Sequence, residues 1–172
     1  MELTRRTLKL KCKPVEFTNY WINEDLVMRM TTAMRQHGGI GLAANQVGER
    51  VRLFVMSIDG HNWACFNPEI LESSTDLTDF DEGCLSFPGE SCIIQRPATI
   101  TVRYFDITGI EIQESLTGLA SRCFQHELDH LNGVRMTDYV GPIAVKMARE
   151  KQAKLMKKIK RQMKNGKLQN PI

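Results

Sequence analysis

Apolar residues recur at helical spacing over three stretches of this 172-residue chain and crowd into short β-rich runs between them. Leu26, Val27, Met30, Ala33 and Met34 fall three and four positions apart, behind Asn23 as a cap and the acidic pair Glu24 and Asp25. They predict a helix that Gly38 and Gly39 end. From 116 to 131 the apolar residues Leu116, Leu119, Ala120, Cys123, Phe124, Leu128 and Leu131 cover most of the helical circumference, which predicts a helix enclosed within the domain. A third helix, from 142 to 165, sets Ile143, Val145, Met147, Leu155, Met156, Ile159 and Met163 among lysines, its first turns expected to pack and its end to be solvated.

Residues 51–57, 63–66, 92–95, 99–105 and 109–113 are the β-rich runs; 99–105 alternates, and 106–109 has the composition of a hairpin turn. Residues 39–48 are too short for a helix and too small for a packed strand, so they predict a loop whose backbone lies close to something. The fold class expected is α+β: short antiparallel strands around a central buried helix, with a basic C-terminal helix.

Charge separates that last helix from the rest. Residues 146–172 hold ten Lys or Arg and one acid, a net +9, while residues 1–145 carry −6. Positive charge confined to one segment suits a polyanionic partner without altering the body, so the chain divides at 140/141 into a catalytic body and a basic helical extension. A chain of this length buries roughly 70% of its unfolded surface, so it needs neither disulfides nor a structural metal to fold. The five cysteines are scattered with no C-x-x-C pair, no apolar run approaches eighteen residues, and the first residues lack a secretory pattern. The expectation is a reduced, cytoplasmic protein outside the membrane, with buried thiols at four of its five cysteines.

The enclosed helix contains Gln125, His126, Glu127, Leu128, Asp129 and His130 in sequence. Four residues are about 400° of helical rotation, so both imidazoles project from one face, which is half of a metal site. Two histidines and a glutamate on one buried face are costly unless a charge meets them. A catalytic metal takes a third protein ligand. Cys84, between Gly83 and Pro88 on what reads as a short exposed turn with an unusual backbone at Gly83, is the best candidate; Asp129 and the other cysteines compete with it.

Three segments together, residues 39–46 (GIGLAANQ), 82–86 (EGCLS) and 125–133 (QHELDHLNG), resemble in order and separation the motifs of the peptide deformylases. The resemblance spans residues 10 to 140 and implies removal of the N-formyl group from the initiator methionine of nascent polypeptides. It implies that Cys84, His126 and His130 ligate one divalent metal, Fe(II) natively, with Zn(II), Ni(II) or Co(II) as substitutes. Glu127 is then the proton carrier, and the side-chain amide of Gln46 with the backbone N–H of Leu85 holds the oxyanion. Ile40, Gly41 and Gly83 pair with the peptide, and Leu119 and Cys123 line the methionine pocket. Glu82, Arg96 and Asp129 are candidates for fixing the ligands' orientation, or equally for surface ion pairs. The basic helix resembles the ribosome-docking extension of bacterial members, which implies contact with ribosomal RNA or a ribosomal protein.

Asn45 departs from the family's usual proline and Arg135 and Thr137 from a more apolar stretch, the first implying a less rigid Gln46. A zinc protease would share HExxH but needs a third His or an acid downstream, where residues 134–172 offer only Glu150 in the basic helix besides Asp138. A non-catalytic ribosome-binding or RNA-binding module would be expected to have lost at least one of Gln46, Cys84, His126, Glu127 and His130.

Overall fold

The computed structural model describes residues 1–17 and 20–164. In chain order it contains α1 (Tyr20–Gln36), β1 (Gly41–Ala43), a 3-10 turn (Ala44–Val47), β2 (Leu53–Ile58), β3 (His61–Ser73), β4 (Leu77–Gly83) and β5 (Ser91–Pro97). It continues through β6 (Thr99–Phe105), β7 (Glu111–Thr117), α2 (Gly118–Leu131), a second 3-10 turn (Met136–Asp138) and α3 (Pro142–Lys164). Contacts divide the chain into two units, Met1–Asp79 with Gln95–Arg135, and Phe80–Ile94 with the segment from Met136 onward. Among the described residues no helix is long and apolar enough to cross a membrane.

The first unit is built on a five-stranded antiparallel sheet in the order β1-β2-β3-β6-β7. Strand β6 shows the cause most plainly: Ile100, Val102 and Tyr104 alternate with half-exposed residues, and all three face the core. Phe54, Met56 and Ile58 of β2 join them, and α2 covers that face with Cys123, Phe124, Leu128 and Leu131. Phe124 meets Phe54 edge to face at 4.9 Å between centroids, the arrangement that ring quadrupoles favour. Asp106 closes the β6–β7 hairpin as its composition predicts. Its Oδ1 accepts from the amides of Thr108 and Ile110, and Gly109 takes a φ of 84°.

A glycine fixes the end of α2. Gly133, at φ 80°, donates to the carbonyl of His130 and Val134 to that of Asp129, the paired bonds of a Schellman cap. A Cβ there would also lie 2.8 Å from the carbonyl oxygen of Lys9.

Several boundaries differ from the sequence expectation. Helix α1 begins at Tyr20, so Asn23 lies inside it rather than capping it. Residues 39–48 form β1 and a 3-10 turn, because pairing of Gly41 with Met56 and Ala43 with Phe54 supplies order that their composition does not. Leu116 belongs to β7 rather than to the helix, which starts after Thr117, a residue in extended conformation. Strand β4 was not expected, and β3 runs on to Ser73 past register shifts near Asn67 and Leu71. Asn67 sits at φ 49°, its side chain exchanging bonds with both backbone groups of Val15.

In the second unit the turn after Cys84 is closed by the Phe87 amide on the Cys84 carbonyl, at 2.8 Å. Helix α3 reaches that turn: Gln152 donates to the carbonyl of Pro88, and Arg149 Nε lies 3.7 Å from Oε2 of the buried Glu90. Ile143 and Met147, which the pattern assigns to packing, are exposed, and Val145 and Ala148 are half-buried in their place. Asn165 and Lys167 lie outside the described residues, as do the side chains of Leu155, Met156, Ile159 and Met163.

Candidate active site

Helix α2 carries His126 and His130 one turn apart, both buried, with ring centroids 4.8 Å apart and planes nearly perpendicular. Glu127 is buried beside them. Strand β1 passes this part of the helix at the limit of contact: a Cβ on Gly41 would lie 2.4 Å from Oε1 of Glu127 and 2.6 Å from Sγ of Cys123. Cys123 Sγ lies 3.7 Å from the carbonyl oxygen of Ile40. No residue but glycine fits at 41, which is the physical reason for the small side chains of this stretch.

Gln46, in the 3-10 turn, is fully buried, and its Oε1 accepts the amide of Ala43 at 2.7 Å. With the acceptor end tied to the backbone, the amide's two donors are held at the other end. The N-terminal segment fastens the turn from outside: Thr4 donates its amide to the Gln46 carbonyl at 2.7 Å and Thr7 its hydroxyl to the Asn45 carbonyl. Asn45 itself is buried, and its Nδ2 donates to the carbonyl of His130. The polar side chain that replaces the expected proline therefore bonds α2 at a histidine, and neither it nor the two threonines was singled out from sequence.

Arg96 is a buried partner rather than a surface one. Its Nη1 lies 2.7 Å from Oδ2 of Asp129, with Arg96 4% exposed and Asp129 17%. Gln125 is anchored by its Nε2 to the Pro97 and Ser121 carbonyls. Leu119, by contrast, is well exposed, while Cys123 one turn later is buried.

On the other unit, Gly83 ends β4 without a positive φ, so the unusual backbone expected of it is absent, and an added Cβ would meet only the Glu90 carbonyl at 3.9 Å. Cys84 is buried rather than exposed, as are Glu82 and Ser86, while Leu85 is half-buried. None of the five cysteines forms a disulfide. Burial raises the thiol pKa of Cys12, Cys65 and Cys92, the last with the help of Glu90, Asp81 and Glu82.

The sulfur of Cys84 and imidazole nitrogens of His126 and His130 lie within 4.8 Å of one another. One thiolate and two imidazoles suit a divalent transition metal and leave a coordination position open, so the donor set fits such an ion. Asp129 is not part of this group, being engaged with Arg96.

Residues 1–146 match the family model described as Polypeptide deformylase. A peptide deformylase of Thermotoga petrophila is 41% identical over 155 residues, covering 90% of this chain and 93% of the relative. The crystal structure of a peptide deformylase from Legionella pneumophila superposes with a TM-score of 0.82 at 35% identity, covering 94% of this chain and 96% of that one. Arabidopsis thaliana peptide deformylase 1B, solved with an inhibitor, gives 0.81 at 36% identity, covering 96% and 94%.

Proposed function

Because the chain belongs to the peptide deformylase family, a family of metal-dependent hydrolases that remove the formyl group from nascent polypeptides, we propose that Cys84, His126 and His130 are its metal ligands. The observation that carries this reading is the approach of one sulfur and two imidazole nitrogens to within 4.8 Å, with Glu127 beside the first histidine on the same helix. Helix α2 is then the central buried helix of the α+β fold, α3 its basic C-terminal helix, residues 1–140 the catalytic part and 141–172 an extension. The metal, Fe(II) natively with Zn(II), Ni(II) or Co(II) as substitutes, would supply Lewis acidity that lowers the pKa of water and polarises a carbonyl.

Glu127 accepts a proton from the attacking water and later delivers it to the departing amine nitrogen, so one carboxylate serves both steps. Gln46 through its side-chain amide and Leu85 through its backbone N–H donate to the formyl oxygen as negative charge gathers there. The hydrogen bond from Ala43 to Oε1 of Gln46 supports this role, since it fixes the amide's orientation before substrate arrives. The backbone of Ile40, Gly41 and Gly83 pairs with the peptide as an added strand, and Leu119 and Cys123 line the methionine pocket. Arg96 holds Asp129, next to His130, while Glu82 lies two residues before Cys84. The products are formate and a free amino terminus.

The extension serves a separate purpose. Its charge of +9 is suited to phosphate contacts on ribosomal RNA or to an adjoining ribosomal protein, and places the enzyme, in the cytoplasm, beside its substrate. Equal cosedimentation with ribosomes at low salt by the full chain and by one ending at Tyr139 would exclude this role.

The catalytic reading is tested by anaerobic formate release from formyl-Met-Ala-Ser by Fe(II)-loaded protein, beside Glu127→Ala. Rapid release by the first, and none by the second at equal metal content, is expected. Stoichiometric metal without formate release from either would overturn it.

A further inference from the structure

A second cavity, entirely within the first unit, has no part in the chemistry above. It encloses about 550 Å³, and Asp59, His61, Trp63, Glu114 and Leu119 are among its walls. Two carboxylates line it and no Lys or Arg does. Glu114 is fixed in place: Trp63 Nε1 donates to its Oε1 at 3.0 Å and the Tyr104 hydroxyl to the same oxygen at 2.8 Å. Burial, and then the bond to Glu114, raise the Tyr104 pKa well above its ordinary value, so the phenol remains a donor. Neither donor is positively charged, so nothing bonded to Glu114 neutralises it, and both bonds fall on Oε1. The Trp63 indole stands beside this carboxylate with the His61 ring against it, their centroids 3.9 Å apart. An anchored carboxylate next to an aromatic surface is an environment that receives a lysine or arginine head group.

Its position along α2 sets which substrate residue reaches it. Leu119 lies seven residues before His126, about 10 Å of helix rise, with Cys123 between them touching the Ile40 carbonyl. An extended peptide advances about 3.3 Å per residue. A chain with its formyl group at Glu127, laid against β1, therefore brings its third side chain to the cavity. We propose that this cavity is a specificity subsite for a basic side chain on the third residue of the nascent polypeptide, an inference that rests on the reading of β1 as the substrate's pairing strand.

The test compares kcat/KM for formyl-Met-Ala-Lys, formyl-Met-Ala-norleucine and formyl-Met-Ala-Glu in the full-length Fe(II) protein and in Glu114→Gln. The glutamine keeps an oxygen for Trp63 and Tyr104, so the wall is retained while its charge is lost. We expect lysine to exceed norleucine by about fivefold and glutamate by more, with the lysine-to-norleucine ratio falling to about one in the variant. A ratio near one in the wild type, with all three peptides deformylated, overturns the subsite and leaves the catalytic reading standing. A ratio that survives in Glu114→Gln also overturns it, because the selectivity then arises elsewhere. Failure to deformylate any of the peptides overturns both.

Discussion

Gly41 and Glu127 are separated by less space than one methyl group requires: a Cβ on the first would sit 2.4 Å from Oε1 of the second. The proton carrier is thus held against the backbone of an edge strand, and any side chain at 41 must displace it. Gly41→Ala should lower kcat/KM for formate release by about a hundredfold or more, since small misplacements of a reacting group are that costly. Overpacking should also reduce stability by about 1–3 kcal/mol. Anaerobic formate assays with urea titration of the same samples measure both, and a fully active Gly41→Ala protein would refute the constraint.

Asn45 bonds the His130 carbonyl from a fully buried position. Asn45→Ala leaves that side of the helix without its donor and should destabilise the protein by about 1–3 kcal/mol. If the bond also aims His130, metal affinity should fall in the same variant, which competition with a chelator would detect. Unchanged stability and affinity would mean that the amide contributes nothing that the usual proline would not.

Arg149 is the counter-charge that the structure gives Glu90, at 3.7 Å, from α3 to the turn that follows Cys84. Arg149 is itself largely exposed, so solvent screens the pair and its loss in Arg149→Ala should cost only about 1 kcal/mol. Adding Glu90→Gln should recover part of that loss, because the buried carboxylate no longer needs a partner. A double variant less stable than the single one would contradict this.

Two buried groups set the alkaline limit of stability. Burial, with the charges of Glu114 and Cys123, holds the Cys65 thiol well above its ordinary pKa, and burial with the Glu114 bond does the same for Tyr104. In the unfolded chain they release protons near pH 9 and 10 while the folded protein keeps them, so stability is full below pH 9 and declines above it. Tyr104→Phe should flatten the part of the decline above pH 10. Denaturation midpoints at pH 8 to 11 provide the comparison, and rising stability over that range would refute the assignment.

What could be read from the sequence was set by local spacing. The four-residue step from His126 to His130 needs only a helix to place both rings on one face, and alternation in 99–105 needs only a sheet. Strand β4 gave no such sign, since in Leu77–Gly83 only Glu82 is buried and pairing with β5, not a hydrophobic face, orders it. Strand β1 is three residues of glycine, leucine and alanine whose extended form comes from its register with β2. The burial of Cys84 and Arg96, and the gathering of Trp63, Tyr104 and Glu114 around one oxygen, join residues far apart in the chain and carry no periodic trace.

The brevity of β1 has a colloidal meaning as well. An edge strand offers its outer amide and carbonyl groups to any extended chain, including the edge of another copy, and long flat edges of this kind seed aggregates. Three residues, Gly41–Ala43, at the end of the sheet order give too few ladder bonds to hold a second folded molecule, yet enough to hold the start of a flexible peptide. The edge discriminates by length, accepting a loose chain end and refusing another sheet.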